Sequence, residues 1–142
     1  MKPSDDEGST LPLIIFFGML SMVLVLIVVA ASSLYLERKR LFTLADSAAL
    51  VGAEAFELTA VVPTSGSIRP QLASGDVRAE VAAFIESMPN RFEALQIERA
   101  ETTDGLSATV SLSSYWRPPV VTLFMPEGIR IEVTSVGRSV FG

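Results

Sequence analysis

The longest apolar stretch of the chain is an uncharged segment near its N-terminus, residues 11–36. It holds 21 apolar residues in 26, enough for a helix to cross the roughly 30 Å hydrocarbon layer of a bilayer. Residues 1–10 precede it as a short leader or tail with the acidic run Asp5-Asp6-Glu7. A cleaved secretory signal is the alternative, but such a signal has a shorter apolar region that follows basic residues. We therefore expect one membrane-spanning helix.

The helical pattern continues beyond the apolar segment, over residues 37–58. This stretch contains no proline, is rich in good helix formers, and repeats apolar or small residues every three or four positions. The pattern predicts one helix from about Leu11 to Leu58, on the order of 70 Å long. Alanine and Gly52 on its packing side would let another element approach closely. The predicted stripe consists of Leu34, Leu41, Leu44, Ala45, Ala48, Val51, Ala55 and Leu58.

Residues 59–142 are predicted to form a small α+β domain, beginning with a loop and a short helix. Ala60–Gly75 is rich in proline, glycine and hydroxyl residues, which is typical of a loop. Asp76 is placed as the N-cap of a helix over Val77–Met88, closed by Pro89-Asn90. Its apolar face would consist of Val77, Val81, Phe84, Ile85 and Met88.

The rest of the domain alternates in the period of β-strands. One strand leads to a turn at Asp104-Gly105, and a second follows with Leu106, Ala108, Val110 and Leu112 on its apolar side. We expect Ser111, Ser113 and Ser114 on the polar side, and Trp116 as a core anchor at the sheet edge rather than part of a contact patch. Val120–Met125 is a short apolar run of undetermined type. A third strand begins at Ile129 and is expected to extend towards Phe141.

These patterns predict an α+β protein with about three antiparallel strands. Its composition excludes several kinds of catalytic and metal site. The chain has no histidine, no cysteine and a net charge of -5. A Ser-His-Asp triad, a Cys-His pair and an imidazole base are thus excluded, as are thiolate metal sites. Scattered arginines disfavour nucleic-acid binding. Glu80 and Glu86 are interpreted as solvated charges, and the acidic run at residues 5–7 as too flexible for a metal. We expect no enzyme activity, cofactor, metal or small-molecule substrate.

Three segments of the first half carry a resemblance to a known family. They are Asp6–Leu13, Leu34–Leu41 and Leu44–Ala55, the last with the sequence LADSAALVGAEA. Together they resemble the N-terminal region of TadE/TadG-like proteins of bacterial tight-adherence (Flp) pilus systems. The likeness covers roughly residues 6–57, and the distal domain is similar only in general pattern.

The resemblance implies a pilin-like, membrane-anchored structural component of a type IV-related pilus or secretion apparatus. It implies a cytoplasmic N-terminus, an extracytoplasmic distal domain, and partners among other pilin-like subunits and pilus-assembly platform proteins, besides the bilayer. By analogy a prepilin peptidase would cut between Gly8 and Ser9. The expected location is the plasma membrane of a bacterium, with assembly into a pilus left open.

Two alternatives stay open at the level of sequence. Arg38, Lys39 and Arg40 follow the apolar segment, whereas only Lys2 precedes it. The excess of positive charge on the cytoplasmic side of most membrane proteins would favour the opposite orientation. The alternative function is a single-pass membrane protein whose small outer domain binds a ligand or a cell-wall component.

Overall fold

The computed structural model describes residues 10–55, 72–89, 91–119, 122 and 126–138. Two helices precede three strands, in the order α1 (Leu11–Ala53), α2 (Ser74–Ser87), β1 (Glu93–Glu101), β2 (Ser107–Trp116) and β3 (Ile129–Arg138). The strands form one antiparallel sheet in the order β1-β2-β3. The predicted α+β fold, a long N-terminal helix with a small helix-and-sheet domain, is confirmed.

Helix α1 runs without interruption for 43 residues, a length of about 65 Å. Pro12 lies in the first turn, where a missing backbone N–H has no helical acceptor to lose. The helix ends at Ala53, before the predicted Leu58, and residues 56–58 lie outside the described residues. The Glu54 N–H donates to the carbonyls of Leu50 and Val51 at 3.2 and 3.1 Å. This tightened last turn satisfies carbonyls that would otherwise be unpaired at the helix end.

Helix α2 begins at Ser74 after Ala73, so the predicted N-cap at Asp76 is wrong. The Ser74 hydroxyl donates to the carbonyl of Thr102 and accepts from its N–H, both at 3.2 Å. This contact across the fold fixes the start of the helix, and Asp76 instead lies in the first turn, where its charge favours the helix dipole. The predicted loop before α2 falls mostly on residues 56–71, outside the described residues.

The packed face of α2 follows the prediction at its first four positions. Val77 and Val81 are fully buried, and Phe84 and Ile85 pack partly buried against the core. Met88 lies one residue beyond the helix and is 42% exposed. The chain turns extended there, so the side chain leaves the packed face.

The sheet has the predicted alternation on β2, its central strand, except at Leu106, which lies before the strand and is exposed. Ala108, Val110 and Leu112 are fully buried, and the turn at Asp104-Gly105 joins β1 to β2 as expected. Of Val120–Met125 only Thr122 is described, and the predicted extension of β3 past Arg138 also lies outside the described residues.

One of the three serines predicted on the polar side of β2 lies elsewhere. Ser111 and Ser113 do lie on the polar side, but they are buried because neighbouring strands cover them: Ser113 donates to Glu98 at 2.6 Å, and Ser111 shares a hydrogen bond with Thr134. The prediction that Ser114 lies on the polar side is wrong. It shares the core side with Leu112, since side chains alternate along a strand, and its hydroxyl donates to the Glu93 carbonyl at 3.1 Å.

The core lies between one face of the sheet and the two helices. Small residues of α1 meet the valines of α2 and the apolar side of β2 and β3, giving the two-layer packing common in small domains. The buried apolar residues of α1 are Leu41, Ala45, Ala48, Ala49 and Ala53. About half of a membrane-type helix is therefore also the central element of a domain core.

Candidate functional site: a membrane helix joined to the domain

The first half of α1 exposes its large side chains. Between residues 11 and 29 every large apolar side chain except Leu26 is 45–71% exposed. The segment contains no charged residue, and α1 is long and apolar enough to cross a membrane. Exposed apolar surface on this scale exceeds what soluble monomers carry. This part of the helix is therefore suited to hydrocarbon or to the helices of neighbouring subunits.

The second half of α1 is buried by close approach. Gly52 faces α2 and β2 so tightly that a Cβ there would lie 3.1 Å from the Val77 and Val81 methyl groups and 3.2 Å from the Ala108 Cβ. On β3, a Cβ at Gly137 would lie 2.3 Å from the Ala49 carbonyl oxygen. Backbone thus contacts backbone where β3 meets α1. Gly52 was predicted to allow close packing; the equivalent role of Gly137 was not.

Two polar contacts fix the sheet along the helix. The Trp116 indole N–H donates to the Ser33 hydroxyl at 3.2 Å, and the Ser135 hydroxyl donates to the Asp46 carboxylate at 2.9 Å. Trp116 is 7% exposed, which confirms its prediction as a core anchor. These contacts show that β3 runs in the same direction as α1, with the beginning of β3 and the end of β2 near residue 33.

Charged residues surround α1 just above the exposed apolar segment. Glu37 lies 3.9 Å from Arg40 in an exposed pair one turn apart, a contact of small energetic value. In the described part of the chain, Arg38 and Lys39 take part in no ion pair. Arg38 lines two open grooves between α1 and β3, which also contain Tyr35 and Glu132.

The outer face of the sheet carries a small polar network. Glu98 accepts hydrogen bonds from the Ser113 hydroxyl and from the Arg130 guanidinium, and Arg130 also reaches Ser113 at 3.3 Å. The Ser113 hydrogen bond, followed by Arg130, holds the pKa of Glu98 below its usual value. All three groups are satisfied by each other, which is typical of a structural network.

The turn between β1 and β2 is organised by one carboxylate. Asp104 Oδ1 accepts from the N–H groups of Leu106 and Ser107 at 2.9 and 2.7 Å and from the Ser107 hydroxyl at 2.8 Å. The backbone N–H of Leu106, followed by the Ser107 groups, holds the pKa of Asp104 well below its usual range. The ionised carboxylate therefore stabilises the turn, as aspartate commonly does.

Several residues considered in the sequence lie apart from these features. Glu80 and Glu86 are exposed on α2. Gly8, Ser9 and the acidic run at residues 5–7 lie outside the described residues. Within the described ranges, no group of three or more acidic, histidine or cysteine residues could hold a metal ion.

Sequence reasoning missed three residues of the junction between helix and sheet: Ser33, Asp46 and Gly137. Ser33 and Asp46 lie within the helical pattern, but their partners are 83 and 89 residues away along the chain. No local signal identifies such pairs. Gly137 interrupts an otherwise alternating strand, and glycine inside a strand does indicate close approach of another backbone.

Comparison with known proteins gives one match. Residues 8–55 match the family model described as "Putative Flp pilus-assembly TadE/G-like". No curated protein and no solved structure matches the chain. The matched segment coincides with α1, including both its exposed apolar half and its buried half. The resemblance noted from the sequence is confirmed: residues 8–55 of this chain are similar to the TadE/G-like family.

Proposed function

We propose that this chain is a pilin-like, non-catalytic structural subunit in the assembly of a Flp-type pilus or a related secretion apparatus. Its α1 helix anchors it in the plasma membrane, and the domain of α2 and the sheet lies on the extracytoplasmic side. Its partners are other pilin-like subunits and the assembly platform, with the role of a minor pilin as the specific form of the proposal.

One observation carries this proposal: a single TadE/G-like helix has an exposed apolar half and a half buried in the domain. An ordinary anchored domain needs only a span and a linker. Here the helix leaves the exposed segment and enters the core without a break, so the two parts must move as one body. A rigid subunit of this kind can be transferred between membrane and filament as a unit.

The exposed half can exchange one apolar environment for another. In a bilayer its large side chains contact lipid tails, and in a filament they would contact the same half of neighbouring copies. Because lipid tails are as apolar as leucine, such association depends on packing rather than on the hydrophobic effect. Gly18 and Ser21 supply small residues at which two helices could approach closely. A substitution at Gly18 should therefore affect assembly more than folding.

Orientation is the decisive test, since the charges beside the helix favour the opposite topology. A reporter that is active only outside the cytoplasm, fused to the C-terminus of the full chain, should be active. A reporter that requires the cytoplasm, fused at the same position, should be silent. The reverse pattern would contradict the proposal. Fusions that remove α1 provide the control, because both should then report the cytoplasm.

Processing between Gly8 and Ser9 is a separate part of the proposal. Intact-mass measurement of the protein from membranes should show a chain that starts at Ser9 when the native prepilin peptidase is present. A chain that keeps Met1 under those conditions would remove this part alone. Co-purification with other pilin-like subunits, tested with and without crosslinking, addresses the proposed partners.

A further inference from the structure

We propose that the two adjoining grooves between α1 and β3, with Arg38 and Lys39 at their rims, bind the headgroups of anionic phospholipids in the leaflet beneath the domain. The inference rests on the membrane placement proposed above and names a ligand for the membrane-facing end of the domain. It accounts for basic residues on the side of the span where the general charge bias would not place them.

The position of the bilayer follows from where the domain begins. Ala30 is the first residue of α1 that packs against the core, and Ser33 holds Trp116. The helix below Ala30, residues 11–29, is about 29 Å long, close to the roughly 30 Å of hydrocarbon in a bilayer. Domain packing therefore sets the hydrocarbon boundary near Ala30. The lower end of the sheet then lies against the headgroup layer.

The basic residues lie within reach of that layer. Arg38 is eight residues above Ala30, about 12 Å along the helix axis, and Tyr35 is about 7 Å above it. Side chains on a helix lean towards its N-terminus, which here is towards the membrane. Long basic side chains keep their stems on apolar surface while their charged ends reach water or phosphate. Tyr35, 66% exposed, stands at the level where aromatic residues collect in membrane proteins.

One of the two grooves combines an apolar floor with a charged rim. It is an open groove with a volume of about 470 Å³ and walls that include Ala31, Leu34, Tyr35, Arg38, Arg130 and Ile131. Glu132 also lines it, and Glu37 is held by Arg40. Arg130 is engaged by Glu98. Arg38 is thus the cation of this groove that forms no ion pair in the described part of the chain. Lys39, which also forms none there, lines the adjoining groove that shares Tyr35, Arg38 and Glu132 with this one.

The cations of the domain are concentrated at the end that faces the bilayer. The described cations near the lower end are Arg38, Lys39, Arg40, Arg91, Arg117 and Arg130, alongside the acidic residues Glu37, Glu86, Glu93, Glu98, Glu127 and Glu132. At the far end the described acidic residues include Glu54, Asp76, Glu80, Glu101 and Asp104, against the cations Arg78, Arg99 and Arg138. The end of the domain that faces the bilayer therefore carries most of the described cations and is close to neutral overall, whereas the far end is net negative. Each basic side chain near an anionic bilayer contributes on the order of a fivefold preference.

Spin-labelled lipids test the proposal on the full chain in bilayers. The fraction of motionally restricted label should show that phosphatidylglycerol associates with the protein about fivefold or more over phosphatidylcholine at low salt. In 1 M salt, where the screening length is about 3 Å, the preference should fall close to one. The variant Arg38→Gln/Lys39→Gln should lower it below about twofold. Arg78→Gln/Arg138→Gln, which removes the same charge from the far end, is the matched control and should keep it.

Each contrary result has a distinct meaning. Equal association of the two lipids with the unchanged protein would overturn the proposal, and so would a preference that survives Arg38→Gln/Lys39→Gln. Absence of restricted lipid of either kind would show that the helix does not span the bilayer, which would overturn the proposed function as well. A cytoplasmic C-terminus together with an intact lipid preference would contradict only the proposed function.

Discussion

The two halves of α1 form one continuous helix but meet their surroundings in opposite ways. Residues 11–29 present large leucine, isoleucine, phenylalanine and methionine side chains and bury none of them completely. Residues 41–53 bury alanine and Gly52 almost completely. Side-chain size, more than hydrophobicity, separates the two halves. Small residues let a sheet and a helix approach the backbone, whereas the large ones of the first half stay exposed, as contact with lipid or with another subunit would require.

The substitution with the largest expected effect on stability is Gly137→Ala, in the strand that packs against the second half of α1. The added Cβ would lie 2.3 Å from the Ala49 carbonyl oxygen, so β3 must move away from α1. We expect a loss of about 3 kcal/mol or more in the free energy of unfolding, at the upper end for overpacking. Thermal unfolding of the full chain in micelles measures it. Gly75→Ala, at a site with no atom within 4 Å, is the control and should not destabilise. A Gly137→Ala protein as stable as the original would show that the two backbones are not in contact.

The exposed half can be disrupted without touching the domain. Leu20→Arg places a charge at the middle of the apolar segment, where insertion costs about 2.5–3.5 kcal/mol. We expect a lower fraction of protein in carbonate-washed membranes, with unchanged protease resistance of the domain. Leu20→Ala, which shortens the side chain without charge, should insert normally. Equal membrane recovery of the Arg and Ala variants would contradict the membrane assignment of this half.

The same substitution at two glycines of α1 sharpens the comparison. Gly52→Ala brings a Cβ to 3.1 Å from the methyl groups of Val77 and Val81. We expect a net loss of about 1–2 kcal/mol in domain stability, because the overpacking cost exceeds the gain in helix propensity. Gly18→Ala meets nothing within 4 Å and should leave the unfolding midpoint of the domain unchanged. Similar effects at both positions would mean that the halves do not differ in packing.

The smallest expected effect is on the pH dependence of stability, at the turn between β1 and β2. Since the pKa of Asp104 is lowered in the folded state, the unfolded chain binds the proton more readily, and stability must fall as the pH falls below about 5. Asp104→Asn should be less stable at pH 7 and lose less on acidification to pH 3. Unfolding midpoints of both proteins at the two pH values measure this. A parallel decline in both would exclude Asp104 as the source.

Periodicity explains what the sequence predicted well. The spacing of Leu41, Ala45 and Ala48 follows from the turn of a helix, and that of Val110 and Leu112 from the pleat of a strand. Both patterns are local, so they hold whatever the partner is. They identified the long helix and the packed side of β2, and the Asp104-Gly105 dipeptide identified the turn.

Contacts between residues distant in the chain account for most differences between the predicted and the observed structure. Helix α2 begins at Ser74 and not after Asp76, because the Ser74 hydroxyl is hydrogen-bonded to the backbone of Thr102. Ser113 is buried although it lies on the polar side, since Glu98 and Arg130 close over it. Neither partner is adjacent in the chain. Ser114 is different, because the alternation along β2 itself places it on the same side as Leu112. Its prediction on the polar side was inconsistent with that local pattern.

The hydrogen bond between Trp116 and Ser33 gives the molecule a natural optical reporter. Trp116 is the sole tryptophan of the sequence, and its indole lies where the sheet meets the helix, sheltered from solvent. Its fluorescence therefore comes from a single place, free of background from other indoles. The emission wavelength of Trp116 and its quenching by brominated lipids can report how the sheet packs on α1, in a vesicle or in a filament, without an added label.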